Sequence, residues 1–169
     1  MTTSHHITNW ITTTIDTSSK EWLFLTFRAD GYITNRNNHH HSVWNNGAVP
    51  TIERVKMALS WTITECRRKH DRKMRFAAFV GGEPSIGVFP HIHAFLELPT
   101  NTSHDTITEY LEMIWSKKLA KLLKQPINSR VTSQILNNGA DALLYCSRYE
   151  GQTFSRADEK VILNNSFFI

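Results

Sequence analysis

Two histidines one residue apart, His91 and His93 in the apolar run "FPHIHAFLEL" (89–98), are the residues of this 169-residue chain that most invite chemistry. On a β-strand, positions i and i+2 share a face about 7 Å apart. Both imidazoles therefore point one way and Ile92 points the other. The apolar neighbours argue for burial, and a buried imidazole needs a partner. Neutral imidazole is a good ligand for borderline divalent ions, so two on one face make half of a metal site. The H-x-H spacing alone fits two separately hydrogen-bonded histidines equally well. Glu83 shifts that balance. It stands eight residues before His91, and "PSIGV" (84–88) has hairpin length, so an antiparallel pairing would bring its carboxylate beside the pair. Glu97 shares the histidine face by parity and is the competing ligand. Two histidines and one carboxylate leave positions open for water and substrate oxygens. His104 and the His39–His41 cluster fall in predicted loops and read as solvated.

A second group is "YCSRYEG" (145–151). On a helix, Tyr145, Arg148 and Tyr149 are i, i+3 and i+4 and share a face. Such tyrosines commonly serve as core aromatics with polar tips. A phenol, with a pKa of about 10, becomes a nucleophile when a metal or cation lies close.

The elements that must position these groups are legible in the hydrophobic pattern. "EWLFLTFRA" (21–29) is a continuous apolar run of strand length and reads as a central strand. Residues 30–47, rich in Asn, Gly and His, read as a long loop with room for a short strand. From Pro50, Ile52, Val55, Leu59, Ile63 and Cys66 recur at helical spacing, and the helix ends in "RRKHDRK" (67–73), where positive charge suits a C-terminus. "MRFAAFVGGE" (74–83) reads as a strand preceding the histidine strand. Thr106 and Glu109 form a T-x-x-E capping box for a helix through Leu123. "SRVTSQIL" (129–136) reads as a strand, "NNG" (137–139) as a turn, residues 140–149 as a short helix, and "VILNNSFFI" (161–169) as an edge strand or core cover. The order β-α-β-β-α-β-α predicts an α+β fold with a mainly antiparallel sheet, related to the split βαβ pattern.

Composition bounds the function classes. A chain of 169 residues fits one domain, with 1–20 as a polar lead-in and 21–169 as the folded unit. Lys and Arg number 19 against 15 Asp and Glu, a net charge of +4, which permits a nucleic-acid partner without demanding one. The two cysteines, Cys66 and Cys146, lack CxxC spacing, which argues against a disulfide scaffold or a zinc ribbon. The Thr-rich start lacks the apolar stretch of a signal peptide, and no run of 18 apolar residues occurs, so no membrane association is expected.

Taken in order, these features resemble the HUH endonucleases, particularly the rolling-circle replication initiators (Rep) of plasmids and small circular single-stranded DNA viruses. "FLTF" (24–27) resembles their first motif. "PHIHAFLEL" resembles the second, with Glu83 at the position of a third ligand, and "YCSR" resembles the third, Tyr-x-x-Lys. The resemblance spans about residues 21–151. It implies a single domain with a five-stranded, mainly antiparallel sheet flanked by helices, of the RRM-like or ferredoxin-like kind. It implies Mg²⁺ or Mn²⁺ held by Glu83, His91 and His93, with Tyr145 as the nucleophile toward single-stranded DNA or an origin hairpin. The tyrosine would bond to the 5′ phosphate and free a 3′-OH for a polymerase. Arg148 stands where the family has lysine; it keeps the charge and can grip phosphate, but cannot transfer protons. Tyr149 fits the second tyrosine of some initiators and is a possible accessory.

Arg67, Arg68, Lys69, Arg72 and Lys73, with Lys117, Lys118, Lys121 and Lys124, could hold DNA backbone or simply form solvated helix faces. "GEPSIGVF" (82–89) has Val88 where a phosphate loop needs Lys, so either the chain relies on a host helicase, or it is the nuclease part of a longer protein; the polymerase would come from the host. The implied location is the host cytoplasm or nucleus. Two alternatives stand beside this reading. A single-tyrosine HUH transposase would carry a ligand glutamine four residues after the tyrosine, where Tyr149 stands. A non-catalytic nucleic-acid-binding domain would be expected to show an aromatic sheet-face motif that this sequence lacks.

Overall fold

The computed structural model describes residues 15, 20–29, 32–34, 40–42, 50–81, 90–137 and 161–163. They form an α+β domain built on an antiparallel sheet. Four strands make its body, β1 (Trp22–Arg28), β4 (Phe76–Gly81), β5 (His91–Glu97) and β6 (Val131–Ile135), in the order β6-β1-β5-β4. The three-residue segment β7 (Val161–Leu163) pairs antiparallel with Ala77–Phe79 on the outer side of β4. Within the predicted loop, β2 (Tyr32–Thr34) and β3 (His40–Ser42) pair with each other as a separate ribbon. The predicted turn and helix at 138–149 lie outside the described residues. Ile15, in the polar lead-in, is buried.

Two helices cover one face of the sheet. Helix α1 (Ile52–Lys69) buries Val55, Leu59, Ile63 and Cys66, four of the five positions that its periodicity singles out, leaves Ile52 half-buried, and adds Ala58 and Thr62. The Thr62 hydroxyl, buried on this apolar stripe, donates to the Ala58 carbonyl at 2.8 Å. Cys66 packs as a small apolar side chain, and burial pushes its thiol up to about 12. Helix α2 (His104–Leu123) buries Ile107, Leu111, Trp115 and Leu119. These residues meet Leu23, Leu25 and Phe27 of β1, Ile92, Ala94 and Leu96 of β5, and Ala78 and Val80 of β4 in one core. Removing one such side chain, as in Leu59→Ala, costs about 2–5 kcal/mol.

The start of α2 differs from the expected capping box. Ser103 is the cap, its hydroxyl accepting from the Thr106 N–H at 3.2 Å, and the helix begins at His104. A tight turn dictates this: the Thr102 N–H donates to the Pro99 carbonyl, and Asn101 takes the left-handed conformation at φ 64°. Asn tolerates that region better than most residues. Thr106 therefore sits at the third helical position instead of the cap. Trp115 ties the far end of β1 to this layer, its indole N–H donating to the Arg28 carbonyl at 2.7 Å and its ring meeting Phe27 edge-on.

β1 reads as continuously apolar because both of its faces carry buried or half-buried side chains. Leu23, Leu25 and Phe27 enter the helix layer, while Trp22, Phe24 and Thr26 turn to the opposite face, which holds the histidines.

Candidate active site on the sheet face

Register across the sheet arranges the histidine face in rows. Residues directly opposite in an antiparallel pair project to the same side about 5 Å apart. Arg28 faces His91, which faces Gly81. Thr132 faces Thr26, which faces His93, which faces Phe79. Gln134, Phe24, Phe95 and Ala77 make the third row, and Trp22 faces Glu97 in the fourth.

The expected pairing of the two imidazoles is present. Their ring centroids are 4.9 Å apart and their planes nearly perpendicular. His93 is only 6% exposed and stacks on Phe24, centroids 5.5 Å apart at 9°. Its Nδ1 lies 3.0 Å from the Thr26 hydroxyl oxygen across the strand pair. Burial, and secondarily the neighbouring His91, lower its pKa to about 4, so the imidazole is neutral across physiological pH. The threonine oxygen can accept a hydrogen bond from an Nδ1–H, and in that tautomer the lone pair is on Nε2. That tautomer suits a metal ligand whose second nitrogen is held by a neighbour.

His91 is half-buried and lies over Gly81. A Cβ at Gly81 would come within 2.7 Å of His91 Nε2 and 3.0 Å of its Cε1. The glycine is thus required for space rather than for an unusual dihedral. The imidazole leans toward β4, the strand from which the chain continues to Glu83.

Glu97 shares the face, as parity predicts, but other groups hold it. One carboxylate oxygen accepts from the Arg75 Nε at 2.9 Å and from the Arg75 backbone N–H at 3.2 Å, and the other lies 3.5 Å from Lys20 Nζ. Arg75 also lies over the Trp22 ring. These contacts pin Glu97 two rows from His93, at the other end of the sheet.

Glu83, Tyr145, Arg148 and Tyr149 lie outside the described residues, and among the described residues no group of three His, Cys, Asp or Glu could hold a metal ion. His104, expected to be solvated, is half-buried, with its Nε2 2.5 Å from the Ser133 hydroxyl.

The basic run is not beside the histidines. Arg67, Arg68 and Lys69 form the last turn of α1, in the helix layer, and Arg72 and Lys73 lie in the connection to β4, whose first residues pair at the Glu97 end. Lys69 sits over the Tyr110 ring at 3.8 Å, and Arg67 donates to the Arg72 carbonyl. Lys118 pairs with Glu65 and holds its carboxyl below the usual range, while Lys121 lies 5.4 Å from the Trp61 ring. Lys69, Lys118 and Lys121 thus tie the two helices together.

Thr26, Gly81 and Arg28 were not singled out from the sequence. Thr26 sits inside "FLTF", where strand alternation gives its face, but its partner depends on a pairing 67 residues away. No described helix is long and apolar enough to cross a membrane. No family model matches the chain, and neither does any curated protein or solved structure.

Proposed function

We propose that this protein nicks and rejoins single-stranded DNA, using a divalent ion and a tyrosine nucleophile, and so initiates rolling-circle replication. The observation that carries this reading is the histidine pair, with two imidazoles on one sheet face, one kept neutral by burial and oriented by Thr26. A histidine buried purely for packing needs no like neighbour. His91 and His93 would hold Mg²⁺ or Mn²⁺ together with Glu83, which follows Gly81 by two residues in the sequence. Glu97 is the weaker candidate because Arg75 and Lys20 already engage its carboxylate.

When bound, the ion would supply charge stabilisation at the scissile phosphate. The chain's own groups perform the rest. The Tyr145 oxygen attacks phosphorus, the O3′–P bond breaks, and the departing oxygen takes up a proton to become a free 3′-OH. The phosphotyrosine bond keeps the phosphate activated, so a later 3′-OH can attack it and release the tyrosine. Arg148, three residues along the same expected helix, would hold phosphate oxygens in a two-pronged grip. The short strand beside β4 is compatible with the five-stranded sheet of the HUH fold. Host helicase and polymerase complete the proposed cycle.

The test is incubation with a random single-stranded DNA library and Mn²⁺, followed by recovery of covalent adducts. We expect sequence-selected adducts that EDTA abolishes. Adducts formed equally in EDTA would sink the metal assignment.

A further inference from the structure

Three of the four large hydrophobic side chains that the described residues expose, Met57, Trp61 and Met113, lie on the helix layer. On α1, Met57, Trp61 and Arg68 stand at i, i+4 and i+11 and share a stripe. On α2, Met113, Lys117 and Lys121 do so at i, i+4 and i+8, and Lys124 caps the helix just beyond them. All seven are exposed. Each stripe turns away from the sheet: Trp61 and Met113 stand two residues, about 200° of helix, from the buried Leu59 and Leu111. Contacts between the helices set the stripes side by side. Lys121 lies over Trp61, Lys118 pairs with Glu65, and Lys69 lies over Tyr110, so α1 and α2 run antiparallel. Two helices packed in this way leave a groove along their outer surface that a third helix can fill.

The charge along this groove is one-sided. Arg68, Lys117, Lys121 and Lys124 stand on the stripes, while Glu65, the acid between them, is held by Lys118. Glu53 and Glu109 lie one turn outside Met57 and Met113, at opposite ends. We infer that the groove between α1 and α2 docks an acidic amphipathic helix of a partner protein. Trp61 is its central anchor, because a half-exposed indole carries more interface energy than any other side chain here. Met57 and Met113, unbranched and adaptable, meet the helix's apolar face, and the lysines meet its carboxylates. A nucleic-acid backbone would use the cations and leave the methionines without a partner. The site goes beyond the nuclease reading. It lies on the opposite side of the sheet from the histidine pair, so the failure of one leaves the other standing.

The experiment is fluorescence anisotropy in EDTA with a labelled synthetic peptide of about 18 residues, leucine at i, i+3, i+4 and i+7 spacing and glutamate on the flanking positions. A scrambled peptide of the same composition, with no apolar stripe, is the comparison. The striped peptide should bind about tenfold or more tightly than the scrambled one. Trp61→Ala should weaken it about tenfold. The double variant Met57→Gln, Met113→Gln should weaken it about fivefold, through lost apolar contact. The double variant Lys117→Glu, Lys121→Glu should weaken it about tenfold and flatten its salt dependence. Gln134→Ala, exposed on the histidine face, should change nothing. Thermal melts check folding, and the methionine substitutions, being exposed, should leave stability within about 0.5 kcal/mol.

Equal binding of the striped and scrambled peptides would overturn the site. So would unchanged affinity in Trp61→Ala and in the double methionine variant. A DNA duplex of about 20 base pairs is titrated in parallel. If it binds more tightly than the peptide, loses affinity in the double lysine variant and is indifferent to Trp61→Ala, the groove belongs to nucleic acid and the inference fails.

Discussion

Gly81→Ala is the most informative single perturbation of the histidine pair. The added Cβ would meet His91 Nε2 at 2.7 Å, so the ring must retreat by about 0.7 Å to reach an ordinary contact of 3.4 Å. Turning the imidazole off its preferred rotamer costs about 0.5–1.5 kcal/mol. Replacing a strand glycine by alanine returns about 0.5–1 kcal/mol through lower chain entropy. The two nearly cancel, and stability should change by less than about 1 kcal/mol. Metal affinity should not be spared. Disturbing the groups that orient a ligand costs about 10–100-fold, and the displaced atom here is a proposed ligand nitrogen. Calorimetric titration with Mn²⁺, paired with denaturant melts, reads both quantities. Removing the obstacle reverses the sign: in a His91→Ala background, Gly81→Ala should stabilise by about 0.5 kcal/mol. If Gly81→Ala leaves Mn²⁺ affinity unchanged and its stability effect is the same with and without His91, the imidazole is not held over Gly81 for a purpose, and this account of the site fails.

Other consequences follow from the same face. Thr26→Val keeps the side-chain shape but removes the oxygen at His93 Nδ1; Mn²⁺ affinity should fall about tenfold or more, and Thr26→Ser should restore it. Glu97→Gln should destabilise by about 1–2 kcal/mol, because Arg75 loses its partner, while Mn²⁺ affinity stays; Glu83→Gln should do the opposite, and a reversed pattern in paired melts and titrations would exchange the two carboxylates. His93 in the folded protein titrates near 4, against 6.5 unfolded, so the unfolded chain binds the extra proton between those values. Stability should therefore be full above about pH 6.5, fall by up to about 3 kcal/mol as pH drops toward 4, and level off below. Denaturant melts across that range should lose this limb in His93→Gln.

Much of the scaffold was readable without coordinates. The α1 spacing named four of its buried residues, and strand parity put His91, His93 and Glu97 on one face. Features within one element were legible because a helix or strand has its own period. Features that depend on register between strands were not. Arg75 captures Glu97 because β4 and β5 pair so that the two residues stand opposite, and nothing in either segment alone gives that offset. Gly81 lies within the predicted strand 74–83, but only its pairing with His91 gives it a steric reason. The cap of α2 was misplaced for a related reason. T-x-x-E at 106–109 matches a capping box, but the turn at 99–102 delivers Ser103 to the cap first. The basic run drew attention by its density, whereas layer position depends on which face of the sheet α1 covers.

The central claim is a covalent bond between one tyrosine and DNA, and mapping that bond tests it most directly. Wild-type protein and the Tyr145→Phe and Tyr149→Phe variants are incubated with a selected single strand and Mn²⁺, resolved on a denaturing gel, and the adduct peptide identified by mass spectrometry. Tyr145→Phe keeps the ring and removes only the attacking oxygen, so it should stay folded and form no adduct. Tyr149→Phe should still form one, with the nucleotide on the peptide containing Tyr145. An adduct that persists in Tyr145→Phe, or one whose nucleotide maps to any other residue, would contradict the account.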